Sequence, residues 1–334
     1  MEYFNEVCAR HSNIKPTPYK ISTITATGDV GAHLHLDVMF QAMTLTASST
    51  LMKKDWGFSS VQFSVDIDTD IGELETTSTV ISTGGHKNTL LVRRTALDVD
   101  GTPLPMQRSS RRKRRPARHF DNQCTLIYWE KERIDAGVER GVNVKVFRNG
   151  RIQMTGIKTI LEGGRIVDRL VGTINDIQEL RGDIVAGKPL AKSVEYKVCL
   201  INSDFNIGFQ IRRDLLHNIL SRKKTLVCSF EPCIYPGVKL SFMWNHCKTS
   251  KNERQNGRCE CNKPCKGIGD GYGPGNCRRV TCAIFQSGCT IITGAHSYSQ
   301  LEDTYRFICE VVSQHKDVLQ KSRFENIESK IEIS

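Results

Sequence analysis

The stretch YKISTITATGDVGAHLHLDV at residues 19–38 is matched, without a gap, by YKVCLINSDFNIGFQIRRDL at residues 196–215. A second match follows each copy: NVKVFRNGRIQMTGIK at 143–158 and TCAIFQSGCTIITGAH at 281–296. There Phe147, Gly150, Thr155 and Gly156 fall on Phe285, Gly288, Thr293 and Gly294. Two copies of one strand–helix–hairpin–helix unit imply a pseudo-twofold molecule. Two units are too few for a solenoid, which needs at least three, so the copies are expected to share one continuous sheet.

Working outward, residues 19–28 alternate small, polar and β-branched types and read as a strand. Residues 34–45 place Leu36, Met39, Phe40 and Met43 on one helical face. From 46 to 118 the pattern dissolves into an expected long insertion, with one candidate strand at NTLLVRRTAL and a basic run, RSSRRKRRPAR, at 108–118. Regular structure returns at 120–129 and in the hairpin 143–158, where Asn149-Gly150 is the expected turn. Ile166, Leu170, Ile174 and Ile177 then keep helical spacing. The second copy reads as strand 195–205, helix 210–220, strand 234–244, hairpin 280–295 and helix 299–319, the last burying Leu301, Tyr305, Ile308 and Val312. It carries its own Cys- and Gly-rich insertion at 246–279. Four segments result: an extension at 1–17, repeat 1 at 18–185, repeat 2 at 190–322 and a tail at 323–334.

Composition bounds the partners. The 334 residues are 39% hydrophobic and 25% charged, and no run of about 18 apolar residues suggests a membrane span. The N-terminal residues lack the apolar stretch of a signal peptide. The net charge of +11 favours a polyanionic partner. Thirteen cysteines without a secretory signal point to an intracellular reducing compartment, with thiols free or metal-bound.

The pattern resembles the TATA-box-binding protein family. The residues that carry the likeness are EPCIYPGVKL at 231–240 and AIFQSGCTIITGA at 283–295 in the second copy, and VKVFRNGRIQMTGIK in the first. It covers roughly 18–45, 119–180 and 193–320. The insertions and basic run look most like the divergent versions found in large DNA viruses. The resemblance implies an α+β saddle, with two repeats forming one curved antiparallel sheet and helices on its convex face. It implies binding of double-stranded, A·T-rich promoter DNA in the minor groove, as a monomer, in the nucleus or in a viral factory or virion. It also implies aromatic wedges that kink the duplex: Phe120 with Phe147 in repeat 1, and Tyr235 with Phe285 in repeat 2. The TATA-box-binding protein is itself the standing example of such wedging. A TFIIB-like initiation factor and the RNA polymerase machinery are the implied partners. The family's Glu-Pro-Glu docking motif reads Glu231-Pro232-Cys233 here.

The residues themselves support a groove-binding face. Alternate residues of a strand share a side, so Phe147 groups with Lys145 and Asn149, and Thr155 with Gln153 and Arg151. By the same rule Phe285 groups with Ala283 and Ser287, and Thr293 with Ile291. A·T pairs present only acceptors in the minor groove, which hydroxyls and apolar contacts satisfy. Where the family carries a central Asn on each first strand, this chain has Thr23 and Leu200; Thr25 and Asn202 lie two residues on, on the same face. Lys145 and Gln153 replace apolar residues of the family's DNA face.

The cysteine-rich insertion has the spacing Cys259-x-Cys261-x3-Cys265-x11-Cys277, with Cys247 in reserve. Structural zinc, free surface thiols and an iron–sulfur centre are the readings, with zinc favoured by the soft ligand set. The other cysteines are expected to be small buried residues. The basic run, with Arg111, Arg112, Lys113, Arg114 and Arg115 at its centre, reads as a nuclear-targeting patch, a phosphate-contacting arm or a solvated loop. No nucleophile, acid–base pair or other catalytic arrangement stands out, so a non-enzymatic transcription initiation factor is expected. A protein-interaction saddle and a generic DNA-binding protein without TATA specificity are the alternatives.

Overall fold

The computed structural model describes residues 6–7, 9–51, 53–66, 78–83, 89–96, 122–138, 140–187, 190–222, 226–250, 253–261, 268–270 and 276–321. They fall into two compact units: Ile24–Val198, which holds most of the first repeat, and Met1–Thr23 with Cys199–Ser334, which holds most of the second. The boundaries fall within the opening strand of each repeat, and each of these strands belongs by sequence to its own repeat.

In the first-repeat unit the order is β1 (Lys20–Asp29), α1 (Leu36–Ala42), α2 (Ser48–Leu51), β2 (Trp56–Asp66), β3 (Ser78–Thr83), β4 (Thr89–Thr95), β5 (Gln123–Glu130), α3 (Lys131–Asp135), β6 (Val142–Phe147), β7 (Arg151–Ile157) and α4 (Ile160–Arg181). Its strands run antiparallel in the order β3-β4-β2-β5-β6-β7-β1. The second-repeat unit contains β8 (Glu195–Asn206), α5 (Arg213–Arg222), β9 (Val227–Glu231), β10 (Tyr235–Asn245), α6 (His246–Ser250), β11 (Cys277–Ile284), β12 (Cys289–Ala295), α7 (Tyr298–Gln314) and α8 (Lys316–Leu319). Here the order is β8-β12-β11-β10-β9, again antiparallel. Each unit thus repeats one plan, in which the first strand pairs with the last and the hairpin strands follow.

Period-two burial decides which face packs. Val142, Val144, Val146, Ile152, Met154 and Leu126 point to the helices and are almost wholly buried, as are Ile166, Val167, Leu170 and Ile174 of α4. Leu36, Met39, Phe40 and Met43 are buried as their spacing predicts; α1 packs on β2 and β5. Each such side chain, moved from water to the core, stabilises by roughly 1.5–3 kcal/mol. In the second unit α7 buries Leu301, Tyr305, Ile308 and Val312 against β10, β11 and β12.

The two long helices begin in the same way. Thr159 accepts a hydrogen bond from the Glu162 amide at 3.2 Å, and Glu162 accepts one from the Lys158 amide at 2.7 Å. Ser297 and Gln300 repeat this with the His296 amide. Both are reciprocal capping arrangements that satisfy otherwise orphaned N–H groups. The first uses a buried carboxylate, so it requires a counter-charge: the buried Arg133 pairs with Glu162 and also donates to the Arg140 and Gly156 carbonyls. The neutral Gln300 requires none.

Three differences from the sequence reading stand out. The stretch read as insertion from 46 begins with α2 and the eleven-residue β2, whose pairing with β5 makes it the counterpart of β9. Its aromatics, Trp56, Phe58 and Phe63, interrupt the period-two signal because β2 is buried on more than one side near Phe58–Ser60. The insertions therefore occupy different connections: β2 to β5 in the first repeat, β10 to β11 in the second. Residues 11–17, read as part of an extension, are tied to α7, with Asn13 donating to the Ser313 carbonyl at 2.8 Å and the Tyr305 hydroxyl donating to the Thr17 carbonyl at 3.1 Å.

The hairpin turn also differs from a two-residue Asn-Gly turn. It is a four-residue turn closed by the Gly150 amide on the Phe147 carbonyl at 2.9 Å, with only Gly150 at positive φ, 81°. Gly288 has the same φ and the same bond to Phe285, at 3.0 Å. Each glycine lies against the backbone that follows the unit's first strand: a Cβ would stand 2.3 Å from the Ala32 carbonyl oxygen at Gly150, and 2.4 Å from that of Phe209 at Gly288. The Val30 and Ile207 amides donate to the two glycine carbonyls at 3.0 and 2.9 Å.

Gly150→Ala and Gly288→Ala should each destabilise by roughly 2 kcal/mol or more, from the left-handed backbone and the clash together. Urea titration measures this, and a loss under about 0.5 kcal/mol would show that the turn relaxes freely. A second expectation concerns Glu130, which is 2% exposed. Burial disfavours its charge, but hydrogen bonds from Arg165 and Tyr128 and the nearby Arg165 and Arg169 charges outweigh that, so its carboxyl titrates below the ordinary value. A lowered folded-state pKa means stability that is present above the unfolded value and lost as pH falls below it. Acid titration of stability should therefore fall through the region below about pH 4.5, and Glu130→Gln should flatten that fall.

Candidate nucleic-acid interface

The face of each sheet away from the helices is lined by the alternate residues. In the first-repeat unit cross-strand pairing sets Thr25 opposite Thr155 and Thr155 opposite Asn143, and sets Thr27 opposite Gln153, Gln153 opposite Lys145 and Lys145 opposite Thr125. Thr155, Gln153 and Arg151 are exposed on β7, while Lys145 and Phe147 are half-buried on β6. Phe147 ends β6 opposite Gln123. It lines a cavity of about 790 Å³ together with Gly28, Asn122, Arg148, Arg151, Ile152 and Gln153. Phe120, its expected partner, and Arg111, Arg112, Lys113, Arg114 and Arg115 of the basic run lie outside the described residues.

In the second-repeat unit the rows are Lys239, Ala283, Ile291 and Asp204, and Ser241, Thr281 and Thr293. Thr293 donates to the Asn202 side-chain carbonyl at 2.5 Å, so these two expected site residues are a bonded pair. Ile291 is 37% exposed, whereas Ala283 is nearly covered. Tyr235 and Phe285 come together, ring centroids 5.7 Å apart and tilted by 56°.

The loop that carries Tyr235 is held from below. Arg213, at the start of α5, donates to the Pro236 carbonyl and, at 3.1 Å, to the Gln286 side chain, with its guanidinium 5.2 Å from the Phe230 ring centre. The Lys239 ammonium stands 4.1 Å from the Tyr235 ring centre, within cation–π reach. The sequence reading missed Arg213 and Lys239. Lys239 was accessible to it, two residues before Ser241 on the same face of β10; Arg213, on a helix, carries no strand-period signal. Alternation also reaches Thr27, Thr125, Asn143, Ser241 and Thr281, which join the expected residues on the open faces. At the tip between β9 and β10, Glu231, Pro232, Cys233 and Ile234 are all exposed, Ile234 at 80%. A large apolar side chain so exposed is unusual for an inert loop tip.

The thiols sort into two kinds. Cys124, Cys282 and Cys309 are buried as small core residues; burial pushes the Cys124 thiol up to about 12 and raises that of Cys282 as well. Cys233 is exposed, contrary to the expectation for cysteines outside the cluster. Cys259, Cys261 and Cys277 bring their sulfurs within 4.8 Å of one another, and Cys259 and Cys277 are 3.7 Å apart. Thiolates on a tetrahedral zinc, each about 2.3 Å from the ion, stand about 3.8 Å apart. The donor set and spacing therefore fit a metal ion. Cys247 is not part of this group, and Cys265 lies outside the described residues. The loop that carries Cys259 is built onto β10: Asn245 and Gln255 exchange two hydrogen bonds of 2.8 Å, Asn245 also donates to the Arg258 carbonyl at 2.6 Å, and the Met243 amide donates to Gly257 at 3.0 Å. Among the described residues no helix is long and apolar enough to cross a membrane.

No family model matches the chain. A protein of Acanthamoeba polyphaga mimivirus described as TATA-box-binding protein-like is 24% identical over 214 residues, covering 61% of this chain and 51% of the relative. The chain thus spans about half the length of the curated relative it matches. Among solved structures, the Methanococcus jannaschii TBP covers 89% of this chain and 99% of its own length, at 13% identity and a TM-score of 0.39.

Proposed function

We propose that this chain, a divergent relative of the viral TATA-box-binding-protein-like family, is a transcription initiation factor that lays its two open sheet faces in the minor groove of A·T-rich promoter DNA. The observation that carries the reading is the recurrence, in both repeats, of a Phe at the end of a hairpin strand beside a polar, hydroxyl-bearing open face, with the Tyr235 ring tilted against that of Phe285 in the second. Phe147 with Phe120, and Tyr235 with Phe285, act as wedges that unstack base steps and bend the duplex, as the TATA-box-binding protein, the standing example, does. Thr25, Thr155, Asn202 and Thr293 line the groove floor, with Lys145, Gln153, Ala283 and Ile291 beside them. The basic run centred on 111–115, shortly before Phe120 in the sequence, neutralises DNA phosphates. The chain works as a monomer on DNA, in the nucleus or a viral factory, and its exposed Glu231-Pro232-Cys233 tip docks a TFIIB-like factor that leads to the polymerase. It is not an enzyme.

The Cys259, Cys261 and Cys277 thiols, with Cys265 as fourth ligand, hold a structural zinc ion that staples a loop too polar to make a core. A closed four-ligand site supplies folding energy and no reaction chemistry.

End-to-end fluorescence energy transfer on a short A·T-rich duplex tests the first part. The wild-type chain should bend it at submicromolar concentration, and Phe147→Ala with Phe285→Ala should abolish the bend while leaving the circular dichroism spectrum intact. Unchanged bending by the double variant would remove the wedge mechanism; absence of any binding would favour a protein-interaction module. Elemental analysis tests the second part. About one zinc per chain is expected, lost in Cys277→Ser, and a metal-free, fully folded preparation would overturn the site.

A further inference from the structure

The two repeats present different chemistry at the same place on the open face. On β6 and β7 the cross-strand pair is Lys145 and Gln153; on β11 and β12 the matching pair is Ala283 and Ile291. Gln153 is exposed, and among the described residues neither it nor Lys145 has a hydrogen-bond partner for its head group. Their flanking neighbours in the row are Thr125 and Thr27, whose hydroxyls also accept hydrogen bonds. In the other repeat the one carboxylate of the row, Asp204, already accepts from the Ser22 hydroxyl at 2.7 Å.

A·T pairs offer only acceptors in the minor groove, whereas a G·C pair adds the guanine N2 amino donor between them. An apolar pair laid over G·C leaves that donor buried without an acceptor, and such an orphan is costly. A glutamine beside a lysine meets the whole edge: the amide oxygen accepts from the guanine amino group while the ammonium donates to the flanking acceptors.

Resting on the minor-groove reading above, we infer that the chain reads a composite site, tolerating G·C pairs in the half that meets the first repeat and demanding A·T in the half that meets the second. Because the protein can dock in either direction, a duplex with one G·C-containing half always offers a permissive orientation, and only G·C in both halves defeats it.

The test compares wild-type affinity for three duplexes, with no, one or two halves carrying a central G·C pair, and for the same set with inosine in place of guanine, which lacks the N2 amino group. A single G·C half should cost less than about threefold, and two should cost about tenfold or more, within the usual range for one mismatched pair. Inosine should remove both penalties. Gln153→Leu should raise the single-half penalty to the level of the double. Equal per-half penalties in the wild-type chain, or a penalty that inosine leaves in place, would overturn the inference. Failure to bind the all-A·T duplex would instead defeat the minor-groove reading itself, so the two failures are told apart.

Discussion

Each unit depends on a backbone-on-backbone contact that only glycine permits. Gly150 and Gly288 close the hairpin turns at a φ that L side chains avoid, and both lie where a Cβ would collide with a carbonyl of the segment leaving the first strand. The contact is reinforced by hydrogen bonds: the Leu34 amide donates to the Arg148 carbonyl at 2.8 Å, and the Ile211 amide to that of Gln286 at 2.9 Å. Through it the turn that ends the aromatic-bearing strand is fixed relative to the start of the first helix. The positions of Phe147 and Phe285 are therefore set by the main chain, which leaves the neighbouring side chains free to vary.

That freedom is visible in the divergence between the copies. Most helix-facing positions stay apolar, because they share a close-packed interior, and where Ile152 becomes Thr290 and Ala26 becomes Ser203 the polar replacement is small and fully buried. On the open face Phe147 and Thr155 keep their identity as Phe285 and Thr293, while the positions beside them change character, from Lys145 to Ala283 and from Gln153 to Ile291. The capping glutamate of α4 brings with it a buried arginine, while its counterpart, Gln300, brings none. A pair such as Arg133 and Glu162 must be kept or lost together, since either partner alone is a buried, uncompensated charge.

Much of this was legible beforehand, and the exceptions have physical causes. The repeat, the helix stripes and the alternation that groups Thr155 with Gln153, and Thr293 with Ile291, were readable because period and burial coincide there. The strand β2 was not, since residues 56–60 are buried or half-buried without alternation and a period-two test has nothing to find. The turn type was misread because Asn149-Gly150 suits two geometries, and the choice is made by the packing of Gly150 on Ala32. The thiol cluster was read from spacing, yet the feature that makes it a site is tertiary: Cys277 opens β11 opposite Asn245, whose side chain organises the loop bearing Cys259. Arg213 was invisible for the same reason, its role arising only where a helix N-terminus passes beneath a loop.

The unequal insertions carry a lesson in chain entropy. In each unit the first strand must find the last, closing Ile24 on Ile157 in one and Ser203 on Ile292 in the other. The longer closure is less than twice the shorter, and a doubling costs only about 0.6 kcal/mol. Extra residues placed inside such a closure are thus almost free at equilibrium. Their burden falls on kinetics, because the sequence-distant pairing must form before it is rewarded. The hairpins β6–β7 and β11–β12 are local and can zip early, so the long segments delay the pairings they interrupt, β2 with β5 and β10 with β11, together with the capture of the opening strand.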